Sequence, residues 1–218
     1  LVAGTVQNGY KIIKYDFTAP DMMTDNVYDE TYLTHKLTPD GWHFSDRSKT
    51  NAQIIKTLYQ TIQDAAKGAY IMGCNTYNHL AAGIHEIQRS GLDTNGAKWE
   101  VTRKMGINTL AFRQPQNRTF FLTDADCPSF TTHVPTEMNL RFLEASALAA
   151  GSLFASITPG LLNSEDKKRV ANAFRIASTI KGIEPADWLD TTCPSVYQTD
   201  GKTYHFNWFT PTDGINIF

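Results

Sequence analysis

The sequence predicts an α/β protein in which a parallel sheet, open or closed into a barrel, is followed by antiparallel β-structure. Two observations lead to this class. Segments with strand and helix character alternate through residues 1–182, and two β-prone runs joined by Asp-Gly follow within residues 195–218. Such alternation makes successive strands parallel, because each helix returns the chain to the same end of the sheet. Asp-Gly favours the primed turns of a β-hairpin.

The period of the apolar residues separates strands from helices along the chain. Short β-prone runs predict strands, and apolar residues three or four positions apart predict helices. The predicted strands are residues 10–17, 69–75, 83–88, 119–123 and 153–156, and the predicted hairpin spans residues 196–209. The predicted helices are residues 54–66, 97–112, 137–150 and 164–180, and residues 18–48 are predicted to form a long loop.

Capping residues indicate where two of these helices begin and end. Thr50 or Asn51 is the candidate N-cap of the first helix, and Gly68 fits the position just after its C-terminus. Asn163 or Ser164 is the candidate N-cap of the last helix. Its apolar stripe is predicted to consist of Val170, Phe174, Ala177 and Ile180.

The composition is typical of a folded protein with a buried core. Of the 218 residues, 41% are hydrophobic, and 20 basic and 22 acidic residues leave a formal net charge of −2. This balance gives no electrostatic reason to expect nucleic acid or an anionic membrane as the main partner. No apolar run approaches the ~18 residues that a spanning helix needs, so we expect no membrane span.

The cysteines and histidines predict no metal site. Cys74, Cys127 and Cys193 lie far apart without a CxxC pair, which excludes a zinc ribbon and a dense disulfide scaffold. One disulfide and three free thiols are both compatible with this spacing. The six histidines form no HExxH motif, so a metal-dependent hydrolase stays an alternative without a ligand motif. The chain opens without Met inside a strand-like region, and we expect further sequence to precede it.

Polar side chains follow the ends of four predicted strands. They are Lys14 and Asp16; Cys74 and Asn75; Arg89 and Asp93; and Asp124 and Asp126. In a (β/α)8 barrel the active site lies at the carboxyl ends of the strands. A single aspartate there is equally well explained as a helix cap, but four successive polar ends favour a polar pocket.

Asp16 and Asp93 are candidates for the two carboxylates that glycoside hydrolysis requires. One must attack the sugar or activate water, and the other must protonate the departing oxygen. Lys14 lies two residues before Asp16, so both side chains project from the same face of a strand. A cation at this position favours the ionised carboxylate that a nucleophile requires.

These motifs resemble those of retaining α-galactosidases, the melibiase-type glycoside hydrolases of families 27 and 36. Tyr10–Phe17, with Lys-x-Asp at its end, is similar to the family's nucleophile strand. Gly73–Asn75 resembles the following strand, and Arg89–Asp93 resembles the Arg-x-x-x-Asp element that contains the general acid/base. Asp124–Asp126 resembles the Asp-Pro-Asp element after the seventh strand, and residues 147–159 resemble the eighth-strand region.

The resemblance implies the architecture in more detail. Residues 1–185 would form a partial (β/α)8 TIM barrel, about strands four to eight, and residues 186–218 a linker and the first strands of an antiparallel β-sandwich. The missing N-terminal half of the barrel would come from the same polypeptide or an associated segment. Trp188 and Trp208 would pack where barrel and sandwich meet.

The resemblance also implies an exo-acting glycosidase without a cofactor or metal. It would remove terminal α-galactosyl or α-N-acetylgalactosaminyl residues by double displacement, with Asp16 as nucleophile and Asp93 as acid/base. Carbohydrate binding would involve Lys14, Cys74, Asn75, Arg89 and Asp126. Asn75 stands where the family often has an acidic residue, which leaves specificity at the sugar's C2 substituent open. Polysaccharide-degrading enzymes of this kind are often exported, which favours a secreted or periplasmic location.

Two functions of other classes are compatible with the same residues. A barrel that has lost catalysis would bind carbohydrate without cleaving it. Alternatively, Lys14 would form a Schiff base with a carbonyl substrate, as class I aldolases do with a strand-end lysine, and the protein would be a lyase or aldolase.

Overall fold

The computed structural model describes residues 1–16, 44–199 and 201–209. The chain divides into two compact units, Leu1–Arg89 and Ser90–Phe218. Both units contain helices and strands, which confirms the α/β class. The predicted domains, residues 1–185 and 186–218, stay a prediction, and most of the predicted loop at residues 18–48 lies outside the described residues.

The first unit contains a parallel sheet. Its elements are α1 (Val2–Gln7), β1 (Ile12–Tyr15), α2 (Asn51–Ala66), β2 (Tyr70–Gly73), α3 (Asn78–Ala81) and β3 (Ile87–Arg89). Strand β2 pairs in parallel with β1 on one side and with β3 on the other. The predicted parallel arrangement is confirmed, although each strand is shorter than its β-prone run and α1 was not predicted.

Helix α2 covers one face of this sheet, which we call the back face. Tyr59 and Ala66 of α2 are buried and belong to apolar clusters that include Tyr15 of β1. Lys14 and Asp16 are exposed, in alternation with the half-buried Tyr15. Because side chains alternate along a strand, Lys14 and Asp16 project from the opposite, front face.

Helix α2 is defined at both ends by local hydrogen bonding and backbone geometry. The Thr50 hydroxyl accepts a hydrogen bond from Gln53 N, and the Gln53 side chain accepts one from Thr50 N. This reciprocal capping box satisfies two backbone N–H groups that a helix start leaves unpaired, and it makes Thr50, rather than Asn51, the N-cap. At the other end, Lys67 and Gly68 are both left-handed, with φ of +45° and +89°, as expected of a helix C-terminus.

The second unit combines helices with short strands. It begins with a continuous helical stretch of α4 (Trp99–Thr102), a π-helical turn (Arg103–Ile107) and α5 (Asn108–Phe112), followed by a 3₁₀ turn (Gln114–Gln116). The remaining elements are β4 (Leu122–Asp124), β5 (Ser129–Phe130), α6 (Thr136–Leu148), β6 (Ser156–Ile157), α7 (Ser164–Ala177), β7 (Glu184–Pro185), β8 (Val196–Thr199) and β9 (Lys202–His205).

The predicted hairpin is confirmed as part of an antiparallel sheet. Strands β7, β8 and β9 are neighbours in that order. Thr199 pairs with Lys202 across a two-residue connection, and Gly201 within it has a φ of +75°, as the primed turns require. The two-residue strands β5 and β6 also pair, in parallel; β5 was not predicted.

Two sequence expectations about packing in the second unit hold for some of their residues and fail for others. Trp208 packs, since it is 1% exposed and stacks on Phe206 with ring centroids 4.8 Å apart, whereas Trp188 is 49% exposed. In the predicted apolar stripe of α7, Val170, Ala177 and Ile180 pack against the core, but Phe174 is 43% exposed. Ala173 is the buried residue of α7, and it lies in an apolar cluster with Val170 and Ala177 of α7 and with Leu140 and Leu143 of α6.

Candidate active site

The pairing register aligns three of the predicted site residues at the carboxyl ends of the strands. Tyr15 pairs with Gly73, and Gly73 pairs with Gln88. The residues that follow this row are Asp16, Cys74 and Arg89. Since alternate residues of a strand project from opposite faces, these three share the front face.

Lys14 and Asn75 complete this front-face group. Lys14 is exposed and lies one pleat before Asp16 on the same face. Asn75, just beyond β2, is left-handed with a φ of +47°, a conformation that Asn tolerates better than most residues. From this position its side-chain Nδ2 donates a hydrogen bond of 2.7 Å to Asp16 Oδ1. The amide at this position therefore provides the hydrogen-bond donor that orients one oxygen of the carboxylate.

The pKa of the Cys74 thiol depends on three charged side chains of this group, Lys14, Asp16 and Arg89. Its pKa is raised to about 11, chiefly by burial, and also by the charge of Asp16 and by the hydrogen bond that this carboxylate accepts from the thiol. The positive charges of Lys14 and Arg89 oppose this rise. A thiol with this pKa is protonated at neutral pH, so Cys74 is a hydrogen-bond donor to Asp16 rather than a nucleophile.

The structure therefore brings together five of the seven predicted site residues within the first unit. They are Lys14, Asp16, Cys74, Asn75 and Arg89. Their side chains provide one carboxylate, two cations, an amide donor and a thiol donor, a set that can bind sugar hydroxyls. Asp93 and Asp126 belong to the second unit, and the convergence of Asp16 and Asp93 stays a prediction.

A second group of residues holds the segment that contains Asp93. Asp93 is exposed, but the next residue, Thr94, is fully buried. Thr94 N donates a hydrogen bond of 2.6 Å to Asp126 Oδ2, and its hydroxyl donates one of 2.8 Å to Cys127 O. Asp126 therefore fixes the backbone immediately after Asp93.

Asp126 is itself fixed by the backbone and by Asp124. It has a left-handed φ of +70°, and its N–H donates a hydrogen bond of 3.1 Å to Asp124 Oδ1. Asp124 is buried. Carbohydrate binding by Asp126 stays a prediction, but the hydrogen bond from Thr94 gives this carboxylate a role that the sequence did not suggest.

Sequence reasoning also missed a network of hydrogen bonds behind the site. On the back face, the Tyr15 hydroxyl and His85 Nε2 are 2.8 Å apart, and His85 Nδ1 lies 3.2 Å from Gln88 Oε1. Gln88 Oε1 also accepts a 2.9 Å hydrogen bond from the Thr76 hydroxyl. The alternation Lys14-Tyr15-Asp16 gave a signal that Tyr15 faces the other way, but no motif marks His85 as its partner.

The cysteines form no disulfide, and the described residues contain no cluster of potential metal ligands. Cys74, Cys127 and Cys193 are all free thiols, which decides between the two arrangements compatible with their spacing. In the described part of the chain, no three His, Cys, Asp or Glu side chains lie close enough to hold a metal ion. Within the same ranges, no helix has the length and apolar character needed to cross a bilayer.

Comparison with known sequences assigns no family. The chain matches no protein-family model and no curated protein. The likeness to α-galactosidases therefore depends on the motifs themselves and on the grouping of their residues at the strand ends.

Proposed function

We propose that the protein is a retaining glycoside hydrolase that removes terminal α-galactosyl or α-N-acetylgalactosaminyl residues. The observation that carries the proposal is that Asp16, Cys74 and Arg89 directly follow the last paired row, Tyr15, Gly73 and Gln88, at the carboxyl ends of three parallel strands. Parallel strands with polar groups at these ends are the setting of active sites in (β/α)8 barrels. We propose that β1, β2 and β3 are strands of such a barrel.

In the first half of the proposed reaction, a carboxylate oxygen of Asp16 attacks the anomeric carbon. The bond from this carbon to the departing oxygen breaks, and Asp93 gives its proton to that oxygen. The products are the free alcohol and a covalent ester between the sugar and Asp16. The hydrogen bond from Asn75 to Asp16 Oδ1 holds one oxygen in place and thereby orients the other toward the sugar.

In the second half, Asp93 acts as a base. It takes a proton from water, the water oxygen attacks the anomeric carbon, and the ester bond to Asp16 breaks. The sugar leaves with its original anomeric configuration, since two inversions have occurred. Lys14 and Arg89 bind sugar hydroxyls and balance the charge of Asp16, and Asp93 is kept at its place by the bond between Thr94 N and Asp126.

The test traps the covalent intermediate. The complete enzyme, which includes the segment expected to supply the remaining barrel strands, is incubated with 5-fluoro-α-galactosyl fluoride. The ring fluorine of this compound slows both steps, and its fluoride leaving group allows the first to proceed. We expect a stoichiometric glycosyl adduct on the peptide that contains Asp16, identified by mass spectrometry, together with hydrolysis of p-nitrophenyl α-galactoside. Asp16→Asn should abolish both, because a carboxamide is a poor nucleophile.

The matched control is Asp64→Asn, which makes the same change at an exposed aspartate of α2 that only pairs with Gln60. It should retain turnover and the adduct. An adduct on a different carboxylate would remove Asp16 from the nucleophile role. Absence of both turnover and adduct from the wild-type protein would refute the glycosidase, and borohydride-dependent capture of a carbonyl compound on Lys14 would support a lyase instead.

A further inference from the structure

The last row of paired residues in the three strands lies directly before the candidate site, and its side chains project from the back face of the sheet. This row consists of Tyr15, Gly73 and Gln88, and each is followed along the chain by a member of the front-face group. A contact that fixes the row therefore fixes the strand ends from which Asp16, Cys74 and Arg89 project.

One side chain, His85, contacts all three members of the row. Its Nε2 lies 2.8 Å from the Tyr15 hydroxyl on β1, and its Nδ1 lies 3.2 Å from Gln88 Oε1 on β3. On β2, a Cβ added to Gly73 would be 2.7 Å from His85 Nδ1 and 2.6 Å from Gln88 Oε1. Only glycine at this position leaves room for the histidine and glutamine side chains.

The hydrogen-bond partners determine which nitrogen of His85 carries the proton. Gln88 Nε2 donates to the carbonyl oxygen of Arg89 at 3.0 Å, so Oε1 is the amide atom that faces Thr76 and His85. An amide oxygen only accepts hydrogen bonds, and therefore His85 Nδ1 is protonated and Nε2 accepts from Tyr15. Burial lowers the pKa of His85, which agrees with a neutral ring.

We propose that His85, as the Nδ1–H tautomer, is the positioning residue of the site. It fixes the carboxyl ends of β1, β2 and β3 relative to one another and thereby sets the spacing of Asp16, Cys74 and Arg89. The inference rests on the proposed function, because positioning matters only if these groups act on one substrate. Displacement of a catalytic group by about 1 Å can cost roughly 100-fold in rate.

The first test adds one methyl group behind the site. Gly73→Ala forces His85 and Gln88 to move without altering any front-face side chain. We expect kcat on p-nitrophenyl α-galactoside to fall by roughly 10- to 100-fold, with a matching fall in the rate of labelling by 5-fluoro-α-galactosyl fluoride. The matched control is Gly4→Ala, where an added Cβ has no atom within 4 Å and both rates should be unchanged.

The second test removes only the Tyr15 hydroxyl, which donates a hydrogen bond to His85 Nε2. Tyr15→Phe should lower kcat by about tenfold while KM changes by less than about threefold, and Tyr10→Phe, at an exposed position, should change neither. Thr50→Ala serves as a stability control, because it weakens the α2 cap without touching the network. If Thr50→Ala lowers kcat as much as Tyr15→Phe at the same loss of stability, or if both Tyr15→Phe and Gly73→Ala retain wild-type kcat, the positioning role is refuted.

A measurement independent of activity separates this inference from the proposed function. Imidazole ¹⁵N shifts should identify His85 as the Nδ1–H tautomer, and the amide resonances of Asp16, Cys74 and Arg89 should shift in Gly73→Ala but not in Gly4→Ala. If the wild-type protein hydrolyses no glycoside, the proposed function fails while these shifts still decide whether His85 controls the strand ends. The Nε2–H tautomer, or unshifted amides, would overturn the inference.

Discussion

Asp126 shows how one carboxylate can be assigned two roles that experiment can separate. The sequence motif suggests contact with the sugar, whereas the structure shows its Oδ2 bound to the N–H of Thr94, next to Asp93. A carboxylate that binds sugar hydroxyls contributes to substrate affinity. One that holds the acid/base segment contributes mainly to protonation of the leaving group, which is a property of the transition state.

We predict that Asp126→Asn retains most activity and that Asp126→Ala does not, since an amide oxygen still accepts the hydrogen bond from Thr94. With Asp126→Ala, kcat/KM should fall by about 100-fold for poor leaving groups and by less than about tenfold for dinitrophenolate, which needs little protonation. Steady-state kinetics over a series of aryl α-galactosides would measure this. Equal losses for all leaving groups together with a raised KM would assign Asp126 to sugar binding.

The N-terminus of α2 allows the contribution of one helix cap to be measured. Thr50 forms both hydrogen bonds of the capping box with Gln53. We predict that Thr50→Ala lowers the free energy of unfolding by about 1 kcal/mol, measured by urea denaturation followed by circular dichroism. Thr61→Ala makes the same change inside α2, where the hydroxyl donates only to Thr57 O, and should leave stability unchanged or slightly raised because alanine is the better helix former. Equal losses in the two variants would contradict the cap assignment.

Elements were predicted where the signal is local. The α2 cap and the Asp-Gly hairpin were both found because neighbouring residues specify them. The two-residue strands β5 and β6 were missed or displaced because their partner lies far along the chain and so short a run has no period. Phe174 was assigned to the core for a different reason: helical spacing identified the packed face of α7, which includes Val170 and Ala177, but it does not show which residue at the edge of that face stays exposed.

The candidate site was predictable to a similar extent. Asp16, Cys74 and Arg89 were found because polar residues at the carboxyl ends of parallel strands must lie near one another. The hydrogen bond from Asn75 and the contacts of His85 were not predictable, because they depend on a left-handed turn and on the space beside Gly73. These features arise from tertiary packing, which one sequence does not reveal.

At the scale of the whole molecule, the two units carry titratable groups that respond to different ranges of pH. In the first unit, His85 is buried against Tyr15 and Tyr59, with Glu86 next to it in the chain, and burial lowers its pKa below the usual 6.5. In the second unit, hydrogen bonds from Arg169 and Arg141 lower the pKa of Glu137. The pKa of Asp187 is also lowered, because hydrogen bonds from the backbone N–H groups of Ser195 and Val196 outweigh its partial burial.

The signs of these shifts predict two separate acid transitions. Below about pH 6.5 the unfolded state protonates His85 before the folded state does, so the first unit loses stability as pH falls from that value toward the folded pKa. The second unit keeps the contributions of Glu137 and Asp187 until the pH falls below about 4, where these carboxylates take up protons.

Hydrogen exchange, corrected for intrinsic rates, should therefore show α2 losing protection between pH 7 and 5 while α6 keeps it. His85→Gln should abolish the loss in α2, and Glu137→Gln should leave it in place. If α2 and α6 lose protection together, or if α2 behaves alike with and without His85, a buried neutral histidine does not control the acid stability of the first unit.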